Sequence, residues 1–270
     1  MTGAEGMRPA PGPDQPPIPV RLVTFNTHHG VGDDDRHDLP RLATLLASVD
    51  ADVICLQEVD RHFGDRSEDV DQALLLSRAL DMQLAWGPAI DDPRPGDQAR
   101  RQYGNALLSR LPILVSDVHR LPGAGEPRSA LRTMIELDGG ALWVTDTHLS
   151  RKSADRAAQV AAVAELHTAP METGIVVGDF NTAPDAPELV ALRPRFTDAW
   201  ELANERDDRS GWRFWQHDEG NTHPARSPHR RIDHAWVTNG VAVASARVLD
   251  GGGASDHLPL MIDLEVRSGV

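Results

Sequence analysis

The stretch GIVVGDFN, residues 174–181, decides the fold of this chain, because a run of apolar residues leads directly into a carboxylate and an amide. Apolar residues at consecutive positions, rather than at alternate ones, are typical of a strand that is covered on both faces. An apolar run followed by polar groups recurs at residues 23–26, 53–58 and 142–148. This pattern predicts an α/β fold with buried strands whose C-terminal ends carry polar side chains.

Outward from this stretch, short β-like segments alternate with helical ones, without a repeat of fixed period or an internal linker. The predicted strands are residues 20–26, 52–59, 105–109, 133–137, 141–148, 174–180, 232–237, 241–249 and 260–266. Apolar residues at helical spacing predict helices at residues 38–49, 70–80 and 153–167. Long polar loops are expected at residues 30–38, 90–102 and 205–231.

Length and composition are those of an ordinary globular domain, with 270 residues, of which 40% are hydrophobic and 25% charged. We expect a Pro/Gly-rich flexible leader at residues 1–19, a single domain at residues 20–266 and a short tail at residues 267–270. Apolar runs fall short of the roughly 20 residues that cross a bilayer. The lone Cys55 suits a reducing compartment, so the sequence predicts a cytoplasmic monomer without stable membrane association.

The formal net charge of −14 counts against a broad basic surface for tight, sequence-independent binding of nucleic acid. It leaves room for a small basic mouth, and residues 223–231 contain Arg226, Arg230 and Arg231 without an acid. We favour a substrate rim here over a chance cluster. Trp212 and Trp215 in the same loop could stack on a base or pack the loop onto the core, which is the more common use of Trp.

The polar strand ends predict a divalent metal site. Single residues have ordinary explanations: Glu58 could be salt-bridged, His148 could be a satisfied core histidine, and residues 179–181 could form an Asx turn. So many polar ends nevertheless point to one purpose, because buried charge is costly unless it is paired or binds a cation. Carboxylate and amide oxygens, without a thiolate cluster, favour Mg²⁺ or Mn²⁺ over a Cys-based zinc site.

The motifs occur together in a specific order. They are Phe25-Asn26, Leu56-Gln57-Glu58, Tyr103-Gly104-Asn105 with Ser109-Arg110, Thr147-His148-Leu149, Gly178-Asp179-Phe180-Asn181, Arg231-Ile232-Asp233 and Ser255-Asp256-His257. In this order they resemble the endonuclease/exonuclease/phosphatase superfamily over residues 20–266. The resemblance implies a DNase I-like α/β (α+β) fold, a four-layer sandwich of two mixed β-sheets packed face to face and flanked by helices. It implies a site at one edge, between the sheets.

The resemblance also implies roles for the site residues in a reaction in which water attacks a phosphorus ester. Glu58 would be the principal metal ligand, with Asn26 and Asp256 completing the set. His257 would act either as general base or as a contact to the phosphoryl group, in both cases with Asp233 accepting its hydrogen bond and raising its pKa. Asp179, fixed by Asn181, would position the attacking water or a second ion.

His148 matches a second histidine of DNase I-like members and is a candidate acid for the leaving group. The carboxylate that usually supports that histidine is replaced here by Asn105, and an amide stabilises an imidazolium less well. Predicted substrate contacts are Tyr103, Asn105, Arg128 and Arg231. An exposed loop arginine is an equally good interpretation of Arg128. His28 and His29 lie either in a surface loop or at the edge of the site.

The predicted function is a divalent-metal-dependent hydrolase of phosphate esters, of the phosphodiesterase or endonuclease-like type. Residues 229–233 lack the signature of inositol polyphosphate 5-phosphatases, and a membrane-docking hairpin is not evident. A nucleic acid or a small phosphodiester therefore remains as substrate. The alternatives are a phosphomonoesterase acting on a soluble or lipid-derived phosphate, and an inactive binding module of the same fold.

Overall fold

The computed structural model describes residues 16–169, 172–210 and 219–267. Trp212 and Trp215, most of the predicted leader and the last three residues lie outside these ranges. Within them, twelve strands form two six-stranded mixed sheets, which confirms the predicted α/β sandwich. The structure contains no helix that is long and apolar enough to cross a membrane among the residues described.

The first sheet has the strand order β11-β12-β1-β2-β4-β3. These strands are β1 (Ile18–Asn26), β2 (Val53–Arg61), β3 (Gln83–Asp92), β4 (Arg101–Ser109), β11 (Val241–Val248) and β12 (Leu260–Val266). The second sheet has the order β5-β6-β7-β8-β10-β9. Its strands are β5 (Ile113–Leu121), β6 (Arg128–Leu137), β7 (Gly140–His148), β8 (Gly174–Asp179), β9 (Phe196–Asp198) and β10 (Asp233–Thr238).

Two helices cover the outer face of the first sheet and one covers that of the second, whereas the fourth packs against the core between the sheets. They are α1 (Leu39–Val49), α2 (Gln72–Leu80), α3 (Ser153–Glu165) and α4 (Ala199–Ser210), with short 3-10 turns at His28–Gly30, Asp65–Ser67 and Pro187–Ala191. Asp38 and Asp71 cap α1 and α2 by accepting hydrogen bonds from backbone N–H groups of the first turn. This satisfies donors that a helix start would otherwise leave unpaired.

Consecutive apolar residues are buried on opposite faces of one strand. In β2, Val53 and Cys55 face the core between the two sheets, whereas Ile54 and Leu56 face the layer formed with α1 and α2. A third apolar cluster lies on the outer face of the second sheet, where Val176 packs with residues of α3. The chain therefore has three apolar layers between four layers of secondary structure.

Two parallel strand pairs bring the polar strand ends to one edge of the sandwich. In the first sheet β1 runs parallel to β2, so that Asn26 lies beside Gln57. In the second sheet β7 runs parallel to β8, so that His148 lies beside Asp179. Strand β10 is antiparallel to β8, and its first residue, Asp233, pairs with the last residue of β8. The register of five strands therefore places the predicted site residues together.

Strands β3, β5 and β9 and helix α4 were not predicted. Strand β5 is an edge strand with mostly exposed residues, and its apolar residues do not alternate regularly with polar ones. Strand β3 contains Gly87 and Pro88, which usually indicate a break. As a result the predicted loop at residues 90–102 is shorter than expected, because β3 continues to Asp92 and β4 begins at Arg101.

Candidate active site

An open cleft of about 450 Å³ lies at the edge where the polar strand ends meet. Among the predicted site residues, those lining it are Glu58, Tyr103, Arg128, His148, Asp179, Asn181, Asp256 and His257. Asn26 and Asp233 lie directly behind this wall, in hydrogen-bond contact with residues that line it. Asn105 and Arg231 do not line the cleft. Twelve residues scattered over the sequence are therefore reduced to ten that share one site.

Asn26 joins the two sheets at the floor of the cleft. Its Nδ2 donates to Glu58 Oε1 at 3.1 Å and to Asp179 Oδ2 at 3.0 Å. Its Oδ1, the only atom of this side chain able to bind a metal ion, accepts a hydrogen bond from the backbone N–H of His28. In this arrangement Asn26 holds the two carboxylates together, and it would have to turn its amide to act as the predicted ligand.

Glu58 reaches the cleft because β2 bulges at this residue. Leu56 pairs with Ala106 and Val59 with Gly104, so that one extra residue is accommodated in β2. Glu58 itself has a left-handed φ of 59°, a conformation that is costly for residues other than glycine and is often retained at functional sites. The bulge redirects a carboxylate into the cleft from a strand that is otherwise covered on both faces.

The Glu58 carboxylate is ionised although it is mostly enclosed. Burial opposes its charge, but the contact with His29 and the hydrogen bond from Asn26 outweigh this and lower its pKa well below the usual range. His29 Nδ1 lies 4.0 Å from Glu58 Oε2. The described residues supply no Lys or Arg ion pair to Glu58. A buried anion without a full cationic partner is therefore present at the centre of the site.

His257 is paired with Asp233, as the sequence predicts. Its Nδ1 lies 2.9 Å from Asp233 Oδ2, and Thr222 donates its hydroxyl to the same oxygen. Burial lowers the pKa of His257, but the charge and hydrogen bond of Asp233, with the charge of Asp179, raise it to about 10. His257 Nε2 faces the cleft side, 3.8 Å from Asp179 Oδ2. The imidazole is thus held as a cation at neutral pH.

Asp179 occupies the end of β8, where it accepts hydrogen bonds from two sides. Oδ1 accepts from the backbone N–H of Asn181 at 2.8 Å, and Oδ2 accepts from Asn26. Burial raises its pKa to about 7, with Asp233 adding to the rise and His257 opposing it. Gly178 is required just before it, because a Cβ at this position, which has a φ of 136°, would collide with the Thr147 carbonyl oxygen. The carboxyl group is positioned to hold or release a proton near pH 7.

His148 is a neutral imidazole in this site. Its Nδ1 accepts a hydrogen bond from Arg128 at 3.0 Å, so that the ring proton resides on Nε2, which lies 3.3 Å from Asp179 Oδ2. Burial, followed by the charge of Arg128, lowers its pKa to about 3. The predicted role as leaving-group acid does not fit these contacts, because a ring that is already neutral gives up its remaining proton very poorly.

Asn105 supports the fold rather than a substrate. It is 3% exposed and donates from Nδ2 to the carbonyl oxygens of Ser129 and Asp146, which ties β4 to β6 and β7. The structure gives Asn105 a contact between strands, and this residue does not line the cleft. Position 105 matches the family motif because the residue is at the right place in β4, but its side chain points between the sheets.

Arg128 and Tyr103 line the cleft side by side. Arg128 is only 7% exposed, which rules out an exposed loop arginine, and its guanidinium contacts Glu126 Oε1 at 2.9 Å as well as His148. Burial and the nearby charge of Glu58 raise the pKa of Tyr103 well above its usual value, so that its hydroxyl keeps its proton. Both side chains present donors to the cleft, as expected for contacts to phosphoryl oxygens.

The predicted basic patch is divided by the structure. Arg231 binds both carboxylate oxygens of Asp198, at 2.9 and 3.1 Å, and both side chains are largely buried. Its guanidinium is thus occupied by Asp198, and it does not line the cleft. Arg226 is exposed and lies 3.3 Å from Asp33. Arg230 and the neighbouring His223 do line the cleft.

Several residues of the cleft were not predicted as site residues. They are Phe63, Arg66, Ile90, Gly125, Glu126, Ser150, Arg151 and Lys152, and the rim also contains His28 and His29. Because His28 and His29 line the cleft, they lie at the edge of the site and not in a surface loop away from it. Arg151 and Lys152 follow the Thr147-His148-Leu149 motif after one residue, Ser150, and this closeness to a polar strand end is the signal that would have identified them.

Oxygen and imidazole donors come close enough in the cleft to hold a metal ion. In the described part of the chain, two groups of three qualify: His223 with Asp256 and His257, and Asp179 with Asp233 and His257. Asp256 is the most open carboxylate of these two groups, with 41% of its side chain exposed and His28 and His223 at 3.8 and 3.9 Å. The buried Asp233 Oδ1 has no hydrogen-bond partner. Because His257 is held as a cation, the carboxylate oxygens of these groups, and not its ring, are the donors that fit a divalent cation.

Comparison with known proteins identifies the family. A sequence model described as the Endonuclease/Exonuclease/phosphatase family matches residues 23–257. This chain belongs to that family. The matched range contains all the residues that line the cleft, and the match confirms the resemblance seen in the motifs. Enzymes of this family are phosphoesterases, so the chain is a hydrolase of phosphoester bonds by family.

The chain is similar in sequence to curated proteins and in structure to solved proteins. It is 28% identical to the uncharacterized protein YbhP of Escherichia coli K12, over 91% of this chain and 96% of YbhP. A structure of an endonuclease/exonuclease/phosphatase from Beutenbergia cavernae has a TM-score of 0.73 and 24% identity, covering 92% of this chain and 72% of the other. A mannosyl-6-phosphatase from Bacteroides thetaiotaomicron has a TM-score of 0.68 and 16% identity, covering 91% and 99%. At these identities the two structures show a shared fold.

Proposed function

We propose that this family member is a divalent-metal-dependent phosphodiesterase of the endonuclease-like type. The observation that carries the proposal is the pair of hydrogen bonds by which Asn26 holds Glu58 of one sheet and Asp179 of the other at one cleft. Next to them, His257 is a cation fixed by Asp233. One wall of the cleft therefore presents the ionised carboxylate of Glu58, the carboxyl group of Asp179 with its raised pKa and the imidazolium of His257 to an anionic substrate.

The donors support Mg²⁺ or Mn²⁺ as cofactor, with Glu58 and Asp256 as the residues that would hold it. Glu58 is ionised without a Lys or Arg ion pair from the described residues, and a cation would satisfy it. A bound divalent ion would polarise a phosphoryl oxygen and stabilise charge on the leaving oxygen. Asn26 would join the ligands only after its amide turned its oxygen toward Glu58.

The protein's own groups divide the remaining work. Asp179, with a pKa of about 7, accepts a proton from the attacking water, and His257 donates from Nε2 to a phosphoryl oxygen as a cation. Of the two roles that the sequence left open for His257, the phosphoryl contact is the one its pKa supports, because an imidazolium is a poor base at neutral pH. Arg128 and Tyr103 donate to further oxygens of the ester.

A second candidate is a phosphomonoesterase. The observation in its favour is the structural similarity to a mannosyl-6-phosphatase, together with the net charge of −14, which disfavours a long nucleic-acid track. The same cleft would serve, because attack on phosphorus needs the same carboxylates and cation. The difference between the two activities lies in whether the cleft accepts an ester on both sides of the phosphorus.

One matched assay separates these candidates. Initial rates are measured on supercoiled plasmid, bis-p-nitrophenyl phosphate and p-nitrophenyl phosphate, each with Mg²⁺, with Mn²⁺ and with EDTA. We expect diester hydrolysis that needs a divalent ion and falls by at least about 100-fold in Glu58→Gln. Preference for the monoester would establish the second candidate. Undiminished turnover in EDTA would overturn the metal assignment, and binding without turnover in any condition would indicate an inactive module.

A further inference from the structure

A second cavity adjoins the cleft, and it is independent of the predicted catalytic residues except at their shared wall. This side cavity, of about 700 Å³, shares Arg151, Asn181, Arg230 and Ile232 with the cleft. Its remaining lining is Arg156, Thr182, Ala183, Pro184, Glu219, Asn221, His229 and Arg231. Because Asn181 touches both His148 and Asp179, a molecule bound at the catalytic centre can extend past it into the side cavity.

Four arginines line the side cavity, but two of them are already used. Arg156 is paired with Glu188 at 2.7 Å and also donates to the Ser150 carbonyl, and Arg231 is paired with Asp198. These pairs fix the walls and contribute no free charge. Arg151 and Arg230 are exposed, and neither has an ion pair within the described part of the chain. The two unpaired guanidinium groups therefore lie where the cleft opens into the side cavity.

The chemistry of the side cavity suits an anionic group with oxygen acceptors. Arg151 and Arg230 supply charge and paired N–H donors, while the Thr182 hydroxyl and the Asn221 amide supply further polar groups. Glu219 is the single acid in the described lining, where it accepts a hydrogen bond from Asn221. The described lining contains no Phe, Tyr or Trp, so stacking on a base is not what it offers.

The overall charge of the protein sharpens the contrast. With a net charge of −14, most of the surface repels an anion, and the cleft itself contains Glu58, Glu126, Asp179 and Asp256. Other arginines of the cleft are neutralised, Arg66 by Asp60 and Arg128 by Glu126. Among the described residues of the cleft wall, the Lys and Arg side chains without an ion pair are Arg151, Lys152 and Arg230. Two of these, Arg151 and Arg230, also line the side cavity.

We propose that Arg151 and Arg230 bind a second, non-scissile phosphate of the substrate, so that the preferred substrate class is a phosphodiester carrying another phosphate group nearby. The inference rests on the proposed phosphodiesterase function and narrows its substrate. A nucleic-acid strand and a small diester with a further phosphate group both carry a second phosphate near the scissile one. This second phosphate is the group that Arg151 and Arg230 would bind.

The test compares two esters that differ by one phosphate. Thymidine 5′-(p-nitrophenyl phosphate) and its 3′-phosphorylated counterpart are assayed with Mn²⁺, and the ratio of their kcat/KM values is the readout. We expect the 3′-phosphate to raise kcat/KM by about 10-fold in the wild-type protein, since charge-assisted contacts to a partly exposed anion are of this size. The advantage should shrink as salt is added.

Variants assign the effect to residues. In Arg151→Gln with Arg230→Gln the ratio should fall to about 1, and in Arg151→Lys with Arg230→Lys it should be partly kept, because charge remains without the paired donors. Arg226→Gln is the matched control: Arg226 belongs to the same segment, but contacts Asp33 and lines neither cavity. The control should keep the wild-type ratio. A ratio of 1 in the wild type, or an unchanged ratio in the Gln double variant, would overturn the subsite.

Failure of catalysis and failure of the subsite remain distinguishable. If neither ester is hydrolysed with any divalent ion, the proposed function fails, and titration with thymidine 3′,5′-bisphosphate and thymidine 5′-monophosphate still tests the subsite. Tighter binding of the bisphosphate that is lost in the Gln double variant supports it, and equal binding contradicts it. A further gain in kcat/KM with oligothymidine length assigns the second phosphate to a strand. No gain assigns it to a small molecule.

Discussion

His257 donates from Nδ1 to Asp233 Oδ2 at 2.9 Å, and this buried pair fixes both the orientation and the charge of the imidazole. Since Asp233 is the main group that raises the pKa of His257 to about 10, Asp233→Asn should lower that pKa toward the ordinary value of about 6.5. A required cation is lost as pH rises through its pKa. The alkaline limb of kcat/KM should therefore move to lower pH, as measured from pH 6 to 11 at saturating Mn²⁺. An unmoved limb would contradict the role of His257 as a cationic contact.

Asn26 provides a second test, because its amide lies between two carboxylates. Asn26→Ala removes both hydrogen bonds and leaves Glu58 facing Asp179 across an empty space. We expect kcat/KM to fall by about 10- to 100-fold, the range found when groups that orient metal ligands are removed. Circular dichroism and thermal unfolding establish that the variant is folded, and a Mn²⁺ titration should show weaker binding. Unchanged kinetics would mean that the bridge is dispensable.

The backbone at Glu58 is expected to cost stability. Its left-handed φ of 59° favours glycine, whereas its lowered pKa means that the neighbouring groups stabilise the ionised carboxylate. Glu58→Gly should therefore have a free energy of unfolding in EDTA about 1 kcal/mol higher than that of Glu58→Gln, and both variants should lose activity. Urea unfolding of the wild type, Glu58→Gly and Glu58→Gln gives the comparison, with the Gln variant as the control that keeps the strained backbone. A less stable Gly variant would show that the bulge is not strained.

The central strands and the polar residues at their ends could be predicted because they depend on local signals, whereas the sandwich was implied by the resemblance of the motifs to a family. Apolar runs identify the central strands, and their parallel register then brings Asn26 beside Gln57 and His148 beside Asp179. Edge strand β5 was missed, because its residues are mostly exposed and its apolar residues do not alternate regularly with polar ones. The ends of buried strands are thus more predictable than the edges of the sheets.

The partners of the site residues could not be predicted, because they depend on contacts between distant residues. Burial and Arg128, twenty positions away, keep His148 neutral, and Arg231 is neutralised by Asp198, thirty-three positions away. Neither contact leaves a trace in the local sequence, so a motif predicts the position of a side chain better than its partner. Asn105 shows the same limit, since its strand was predicted and its direction was not.

His148 can be tested as an acid through the leaving group. His148→Gln keeps a polar group beside Arg128, so the site should remain folded. If His148 is neutral and does not protonate the leaving oxygen, the variant should lose the same factor of kcat/KM on diesters with good and poor leaving groups. A series of aryl phosphodiesters with increasing leaving-group pKa measures this dependence. A loss that grows with leaving-group pKa would restore the acid assignment.

Arg231 should matter for stability rather than for substrate affinity. Its guanidinium binds both oxygens of Asp198, whose side chain is 1% exposed, and Asp198 also accepts the backbone N–H of Trp200 at the start of α4. Arg231→Gln leaves that carboxylate buried without its cation, which should lower the free energy of unfolding by about 3 kcal/mol. The KM of a diester should stay within about 2-fold, because the charge was already neutralised in the wild type.

The exposed Arg226 is the matched control for this prediction. Its contact with Asp33 is at the surface, so Arg226→Gln should change the free energy of unfolding by less than about 0.5 kcal/mol. Urea unfolding curves and KM values for the two variants are measured side by side. A large rise in KM for Arg231→Gln with little loss of stability would return Arg231 to the substrate site, because it would mean that the pair with Asp198 opens when substrate binds.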